Sequence, residues 1–512
     1  MTVRVVTAAQ AAARDSAAIA AGVASRSLMR RAGEAAAHVI LDHLGERAAR
    51  GVAVYAGSGN NGGDAWVVAG HLAGRGIPVR VRQVGDPRTD DARDARENAR
   101  HAVSGDPPDG SEGVVIDGLL GTGARGEPAG EIAVVVDEIG AARSRGAAVV
   151  ALDLPTGLDA TSGMFGRAVA ADLTITFGTI KRGHLVARGR CGAIVVVDIG
   201  LGPFADLEDG APTLVDHAWV SSRIPAIEAE SHKGVRRRVA IIGGARGMAG
   251  AAVLAARAAM RSGVGMVRAI VETPSLAAVQ SAAVEATAST WPMSDAEIET
   301  QVSEYAHAVL VGPGLGRGAD ARHLLLRVLE IWKGPVVLDA DALNLFASDL
   351  DRLAALLSGR PALLTPHLNE MARLVGQSPD EVLSQRFEAG RDLAERLGAT
   401  VLLKGVPTVI TSRSGECLVS AAGTPVLAAA GSGDVLGGIA VTLLAQNRDA
   451  TTTAAIAAWA HGKAAEIANA GRRVRGVILD DVLAALGAVW SLRVPPPEPP
   501  VLAELPRVGD PA

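Results

Sequence analysis

Short β-rich runs recur along this chain, and glycine-containing turns and helical stretches separate most of them. GVAVYAG (51–57), PVRVRQVG (78–85), GVVIDGLLG (113–121), AAVVALDLP (147–155) and DLTITFG (172–178) form a first series, and AIVVVDIGLG (193–202) adds a late strand. Runs that are apolar on both faces must be covered on both faces, so the pattern predicts a parallel sheet between two layers of helices. Residues 8–49 are rich in Ala, Leu and Arg at helical spacing and predict two helices before the first strand. Aromatic residues are only 3% of the chain, so the core has to be built from Ala, Val, Leu and Ile.

The alternation stops over residues 203–230, which are acidic and contain Pro203, Pro212 and Pro225. It then restarts with RRVAIIGG (237–244), MVRAIVE (266–272), HAVLVGPG (307–314), PVVLDADA (335–342), ALLTPH (362–367), TVLLKG (400–405) and PTVITS (407–412). A chain of 512 residues exceeds what one core holds, so two domains are expected, 1–215 and 225–490. The motif order differs between them, so the second is not a repeat of the first. The tail 494–512 is proline-rich and is expected to be disordered.

The formal net charge of −5 and the absence of a long basic run argue against a nucleic-acid partner. The short cluster Arg236–Arg237–Arg238 reads as a solvated edge or loop. Two distant cysteines, Cys191 and Cys417, make neither a disulfide framework nor a zinc motif, which suits a reducing cytoplasm. No signal peptide and no membrane span are expected.

In an open parallel sheet, ligands sit beyond the carboxyl ends of the strands. Three polar loops should converge there in the first domain: GSGNNGGD (57–64), DGLLGTGARGE (117–127) and DLPTGLD (153–159). Their glycines admit close backbone approach, and free N–H groups there can cradle phosphate oxygens. Asn61, Asp117 and Thr156 offer hard oxygens, which suit an alkali or alkaline-earth cation rather than zinc. Asn, Gly and Asp are also ordinary turn residues, so turn formation alone stays open for any one loop. The spacing matches neither GxGxxG nor the Walker loop.

Farther on, GSGD (431–434) precedes a long apolar helix. A helix N-terminus offers unpaired N–H groups to an anion. Asp434 there reads either as compensation of the helix dipole or as a general base beside a transferring phosphate. HKG (232–234), GMAGAAVLAA (247–256), GPGLG (312–316), DADALN (339–344), TPHLNEMARL (365–374) and KGVPT (404–408) accompany it in order.

GSGNNGGD, DGLLGTG and DLPTGLD, with FGTIKRGHL and VVVDIGLG, resemble the NAD(P)H-hydrate epimerase family over roughly residues 1–215. The second series resembles the ADP- or ATP-dependent NAD(P)H-hydrate dehydratases over about residues 225–490. The fold thereby implied is a Rossmann-like three-layer α/β/α domain followed by a ribokinase-like α/β domain. The implied function is bifunctional repair of hydrated NADH and NADPH (NADHX and NADPHX): an isomerase joined to a lyase. The epimerase interconverts R and S hydrates, and the dehydratase acts on the S form. Phosphorylating the ring hydroxyl makes a good leaving group, and its elimination restores the double bond.

By that resemblance Asn60, Asn61, Gly62, Gly63 and Asp64 contact the hydrate in the epimerase. Gly121, Thr122, Gly123, Ala124, Arg125, Gly126 and Glu127 contact its phosphates. Asp153 lies at the reacting end as the base, with Lys181 as the second candidate. Asn61, Asp117 and Thr156 hold potassium. In the dehydratase, Lys404, Gly405, Val406, Pro407, Thr408 and Gly433 bind the nucleotide. Ala251, Gly316, His367 and Asp434 line the hydrate site, with Asp434 as the catalytic base, and Asn369 and Glu370 are candidates for magnesium–phosphate contacts. The resemblance favours ADP, although the residues themselves leave ADP or ATP open, and it implies a homo-oligomer through the dehydratase domain. The family pattern usually has Gly at Ala65, often Ser at Thr156, commonly Gly at Ala430 and GNP where this chain has Gly423–Thr424–Pro425. The added methyl of Ala65 is expected to affect the tightness of binding. The alternative is a ribokinase-type small-molecule kinase carrying a non-catalytic nucleotide-binding N-terminal domain.

Overall fold

The computed structural model describes residues 2–204 and 210–509. The acidic stretch 205–209 and the last three residues of the tail lie outside the described residues. The chain forms two compact units. The first takes residues 1–214 and 495–508, and the body of the second takes residues 215–494.

In the first unit, helices Ala8–Ala20 and Ser25–Ala48 precede the first long strand, Val52–Ala56. The sheet runs in the order Val501–Leu505, Ala193–Val197, Leu173–Phe177, Ala148–Leu152, Val114–Gly118, Val52–Ala56, Val79–Gln83. Every pairing in it is parallel except that of Val501–Leu505. The alternation of side chains explains the two covered faces. Val52, Val54 and Ala56 enter one core with Ile40, Val68 and Leu72, while Ala53 and Tyr55 enter the other with Val135 and Ile139. Each such Val or Ile, fully buried, contributes about 1.5–3 kcal/mol.

The order reverses beside Val52–Ala56, whose neighbours are the next strand on one side and Val114–Gly118 on the other. Such a switch point opens a crevice between the loops that follow the two strands. Here those loops are 57–59 and 119–129. They touch so closely that a Cβ at Gly57 would overlap the carbonyl oxygen of Leu119, and one at Gly62 would overlap that of Gly57.

The tail corrects the expectation of disorder. Val501–Leu505 is a strand, paired antiparallel with Ala193–Val197. Its apolar residues decide this: Ala503 is buried and Val501 packs on the core, so the proline-rich composition governs only the approach to the strand.

In the second unit the strands run in the order Thr287–Trp291, Met266–Glu272, Arg238–Gly243, Ala308–Val311, Val336–Leu338, Ala362–Leu364, Thr400–Leu403, Thr408–Thr411, Cys417–Ser420. The last two pairings are antiparallel and the others parallel. Val239 and Ile241 face one core and Ala240 and Ile242 the other, again a sheet covered on both sides. The helix Ser432–Asn447 is buried along most of its length and carries its N-terminus to the sheet's polar end.

Candidate active site

In the first unit, the loops at the switch point line a cavity of about 610 Å³. Asn60, Asn61, Asp64, Gly121, Thr122, Gly123, Ala124, Arg125 and Asp153 all line it, as does Lys181. Gly62 and Gly63 do not. Gly62 lies against the backbone of Gly57, and Gly63 against Met29 and Ala92, so both are close-packing positions inside the helix Asn60–Gly74. Gly126 and Glu127 also lie outside the lining, and Glu127 turns toward Gly166. The methyl of Ala65 is buried against Gly118, which has no side chain to oppose it. It does not reach the cavity, so the extra carbon leaves the ligand space unchanged.

Asp153 is the hub of the polar end. It has φ +61, in the left-handed region that a non-glycine residue seldom adopts. Its Oδ1 accepts from Lys181 Nζ at 2.5 Å and from Thr176 Oγ1 at 3.3 Å. Its Oδ2 accepts from the Thr122 N–H at 3.2 Å and from the Thr122 hydroxyl. His184 Nε2 lies 2.8 Å from its carbonyl oxygen. Burial opposes ionisation of this carboxyl, but Lys181 and the hydroxyl of Thr122 overcome it and hold Asp153 at about 2. Asp64 moves the other way: burial, then Asp153 and Asp15, push it well above the usual carboxylate range. One cavity thus holds two carboxyl groups shifted in opposite directions, Asp153 downward beside Lys181 and Asp64 upward.

Asp117 and Thr156 sit beneath this floor, both fully buried. Asp117 accepts from the Thr156 N–H at 2.8 Å, the Thr156 hydroxyl at 2.7 Å and the Leu119 N–H at 3.2 Å. Burial still raises it to about 6. Both polar atoms of the Asn61 amide are buried without a hydrogen-bond partner, and a Cβ at Gly121 would lie 3.3 Å from Asn61 Cβ. An orphaned amide beside oxygen donors fits an oxygen-seeking cation.

In the second unit the helix Ser432–Asn447 starts after Gly431, whose φ is +90. A Cβ there would also press on the tip of Leu254 at 2.6 Å, but it is the positive φ that calls for glycine. Asp434 occupies the first helical turn. Burial and the nearby Asp339 carboxylate raise it to about 7, against the pull of Lys404. Lys404 Nζ donates to Asp339 Oδ1 at 2.7 Å and lies 3.9 Å from Glu370. A Cβ at Gly433 would sit 3.3 Å from the same Nζ, which brings Lys404, Gly433 and Asp434 together.

Gly316 donates its N–H to Asp341 at 2.9 Å, and Asp341 also acts on Asp434. Ala251 lies one turn before Leu254 on the helix Ala249–Arg261. His367 caps the helix Leu368–Val375: its Nδ1 accepts from the Asn369 N–H at 3.0 Å, and its backbone N–H donates to Glu370 Oε2 at 2.8 Å. The loop Gly405–Thr408 stands on the buried Arg386, which donates to the Pro407 carbonyl at 2.8 Å, and it leaves Val406 63% exposed. Among the described residues, no cluster of His, Cys, Asp and Glu forms a transition-metal site, and no helix is long and apolar enough to cross a membrane.

Several residues of these sites escape motif reading. Asp339 and Asp341 lie in DADALN, but their role depends on Ala340, which turns at φ +51 between them. Asp15 and Arg88 line the first cavity from segments that carry no motif, and Ser58 lines it from within GSGNNGGD, whose pattern does not single it out.

Residues 239–486 match the NAD(P)H-hydrate dehydratase family, and residues 25–183 match the YjeF-related protein N-terminus. The bifunctional NAD(P)H-hydrate repair enzyme Nnr of Moorella thermoacetica is 34% identical over 485 residues, covering 89% of this chain and 90% of that one. The Escherichia coli K12 enzyme of the same name is 35% identical over 489 residues, covering 92% and 91%. Among solved structures, an ADP/ATP-dependent NAD(P)H-hydrate dehydratase of Bacillus subtilis, co-crystallised with ATP/Mg2+, is 28% identical. It covers 55% of this chain and 98% of that one, with a TM-score of 0.48. Identity at this level across about nine-tenths of both chains spans both units, and the chain belongs to the family of bifunctional NAD(P)H-hydrate repair enzymes.

Proposed function

We infer that this chain repairs hydrated NADH and NADPH: the first unit interconverts the R and S hydrates, and the second uses a nucleotide to dehydrate the S hydrate. The observation that carries this is the presence on one chain of two unlike sites. One is a cleft lined by Asp64, Asp153 and Lys181, and the other is an acid at a helix N-terminus beside a lysine. A small-molecule kinase would account for the second site and leave the first without a purpose.

In the epimerase, inverting a hydroxyl-bearing ring carbon needs one group that gives a proton and one that accepts it. Asp153, held low beside Lys181, suits the accepting role, and Asp64, whose carboxyl burial pushes upward, suits the giving one. Lys181 and Thr122 fix the direction in which Asp153 presents its oxygens. Gly121, Thr122, Gly123, Ala124 and Arg125 border the same space and would receive the dinucleotide's phosphates. Asn61, Asp117 and Thr156 would hold potassium, whose charge would answer the buried Asp117 carboxylate and the orphaned amide.

In the dehydratase, Asp434 would accept the proton of the ring hydroxyl as that oxygen takes the terminal phosphoryl group of ADP or ATP. Phosphate then leaves with the C–O bonding pair, the neighbouring ring carbon gives up a proton to solvent, and its C–H pair forms the double bond, so the products are NAD(P)H, phosphate and a nucleotide shorter by one phosphate. The free N–H groups of the helix Ser432–Asn447 face the charge that develops there. Lys404, Gly433 and the loop Gly405–Thr408 would hold the nucleotide. Asp339 and Glu370 would orient Lys404, and magnesium, when bound with the nucleotide, would neutralise phosphate charge. ADP is the favoured donor, the cytoplasm the expected compartment, and an oligomer through the second unit the expected assembly.

The test supplies purified S hydrate with ADP or ATP and magnesium and follows the return of reduced-nicotinamide absorbance. Recovery with either nucleotide is the expected result, and no recovery with both contradicts the dehydratase assignment.

A further inference from the structure

The C-terminal tail enters the first unit and is tied down at several points. Its strand Val501–Leu505 pairs with Ala193–Val197, and Ala503 is 6% exposed. Arg188 Nη2 donates to the Pro506 carbonyl at 2.5 Å. Arg507 Nη1 reaches Asp172 Oδ1 at 3.2 Å, the oxygen that also accepts from Arg143 at 2.8 Å.

The strand it covers leads straight into the catalytic cavity. Residues 198–201 follow Ala193–Val197 without a break, and Ile199 and Leu201 line the cavity that also holds Asp153 and Lys181. Asp198 is where the tail takes hold: its N–H donates to the Pro500 carbonyl at 2.7 Å. The Asp198 carboxylate in turn accepts from the Gly200 N–H at 2.7 Å, which shapes the turn between the two lining residues. From the inner side, Arg31 donates to the Ile199 carbonyl at 3.3 Å, and Arg14 to that of Leu201 at 2.9 and 3.2 Å. The wall is therefore fixed from both sides, and the tail supplies the outer one. The family matches cover residues 25–183 and 239–486, so they include neither the wall nor the tail.

We propose that residues 495–508 are a positioning element of the epimerase site: the tail strand sets the cavity wall Asp198–Leu201, from which Ile199 and Leu201 face the hydrate. The inference rests on the epimerase function proposed above. No residue of 495–508 lines the cavity. An edge strand stripped of its partner loses half its ladder and its apolar cover, and the loop that continues it moves with it.

The experiment compares the full chain with a chain ending at Val494 and with the full-length variant Ala503→Glu, which puts a charge at a buried position of the strand. Epimerisation of purified R hydrate, dehydration of S hydrate with ADP, and amide hydrogen exchange at residues 198–201 are measured on each. Both altered proteins are expected to lose about tenfold or more of epimerase kcat/KM, chiefly through KM, while dehydration stays within about twofold. Exchange at residues 198–201 should rise about tenfold. A synthetic peptide of residues 495–508, added to the shortened chain, should restore most of the epimerase rate. Unchanged exchange at residues 198–201, or full epimerase activity in both altered proteins, would overturn the proposal. A full chain that never epimerises the hydrate contradicts the function instead, and the exchange measurement still decides whether the tail sets the wall.

Discussion

Asn61 and Asp434 show how much of the chemistry rests on single side chains with an unmet need. The Asn61 amide is buried without a partner, which costs about 1–3 kcal/mol in the absence of a ligand. Asn61→Ala should therefore leave stability in choline chloride within about 1 kcal/mol of the parent, while abolishing the rise in Tm that potassium chloride gives the parent. A variant that gains as much from potassium would show that the amide holds no cation. Asp434, raised to about 7 by burial and by Asp339, is protonated below that pH and cannot accept the hydroxyl proton. The dehydration rate at saturating substrates should fall as pH drops through about 7, a limb that a pH–rate profile reads directly. Asp434→Asn should lower turnover by about a hundredfold or more while nucleotide binding, measured by calorimetry, persists. Asp434 was legible because GSGD stands before an apolar helix. Asp339 was not, because its importance lies in a 2.7 Å contact with a lysine 65 residues away, and no local pattern encodes that contact.

At the scale of elements, the sites are made where two loops meet closely enough to exclude a side chain. Gly62 lies in the first turn of the helix Asn60–Gly74 and abuts the carbonyl of Gly57, which itself abuts Leu119. Gly62→Ala should part these loops and lower epimerase kcat/KM by about tenfold or more, leaving dehydration of the S hydrate unchanged. Equal loss of both activities would show that the effect is not confined to the switch point. The long parallel strands could be read from their apolar runs, since burial on both faces leaves that mark. Thr287–Trp291 and Cys417–Ser420 could not: TASTW is mostly half-buried or exposed at a sheet edge, and CLVS is a short strand in an antiparallel return. Val501–Leu505 was hidden by the prolines that precede it. Composition describes a segment's surroundings less well than its alternate residues describe the face it buries, and Ala503 and Val501 supply that face.

On the scale of the whole molecule, fusion matters because the dehydratase accepts one epimer while hydration yields two. Either unit alone would leave part of the damaged cofactor unrepaired. Purified R hydrate, incubated with ADP and magnesium, tests this division of labour most directly when the parent and Asp434→Asn are compared. The parent should return reduced cofactor from the R form. Asp434→Asn should convert the R hydrate to a mixture of epimers, separable by chromatography, with no return of absorbance. R hydrate left unconverted by both proteins, or reduced cofactor formed by the variant at the parent's rate, would contradict the assignment of one reaction to each unit.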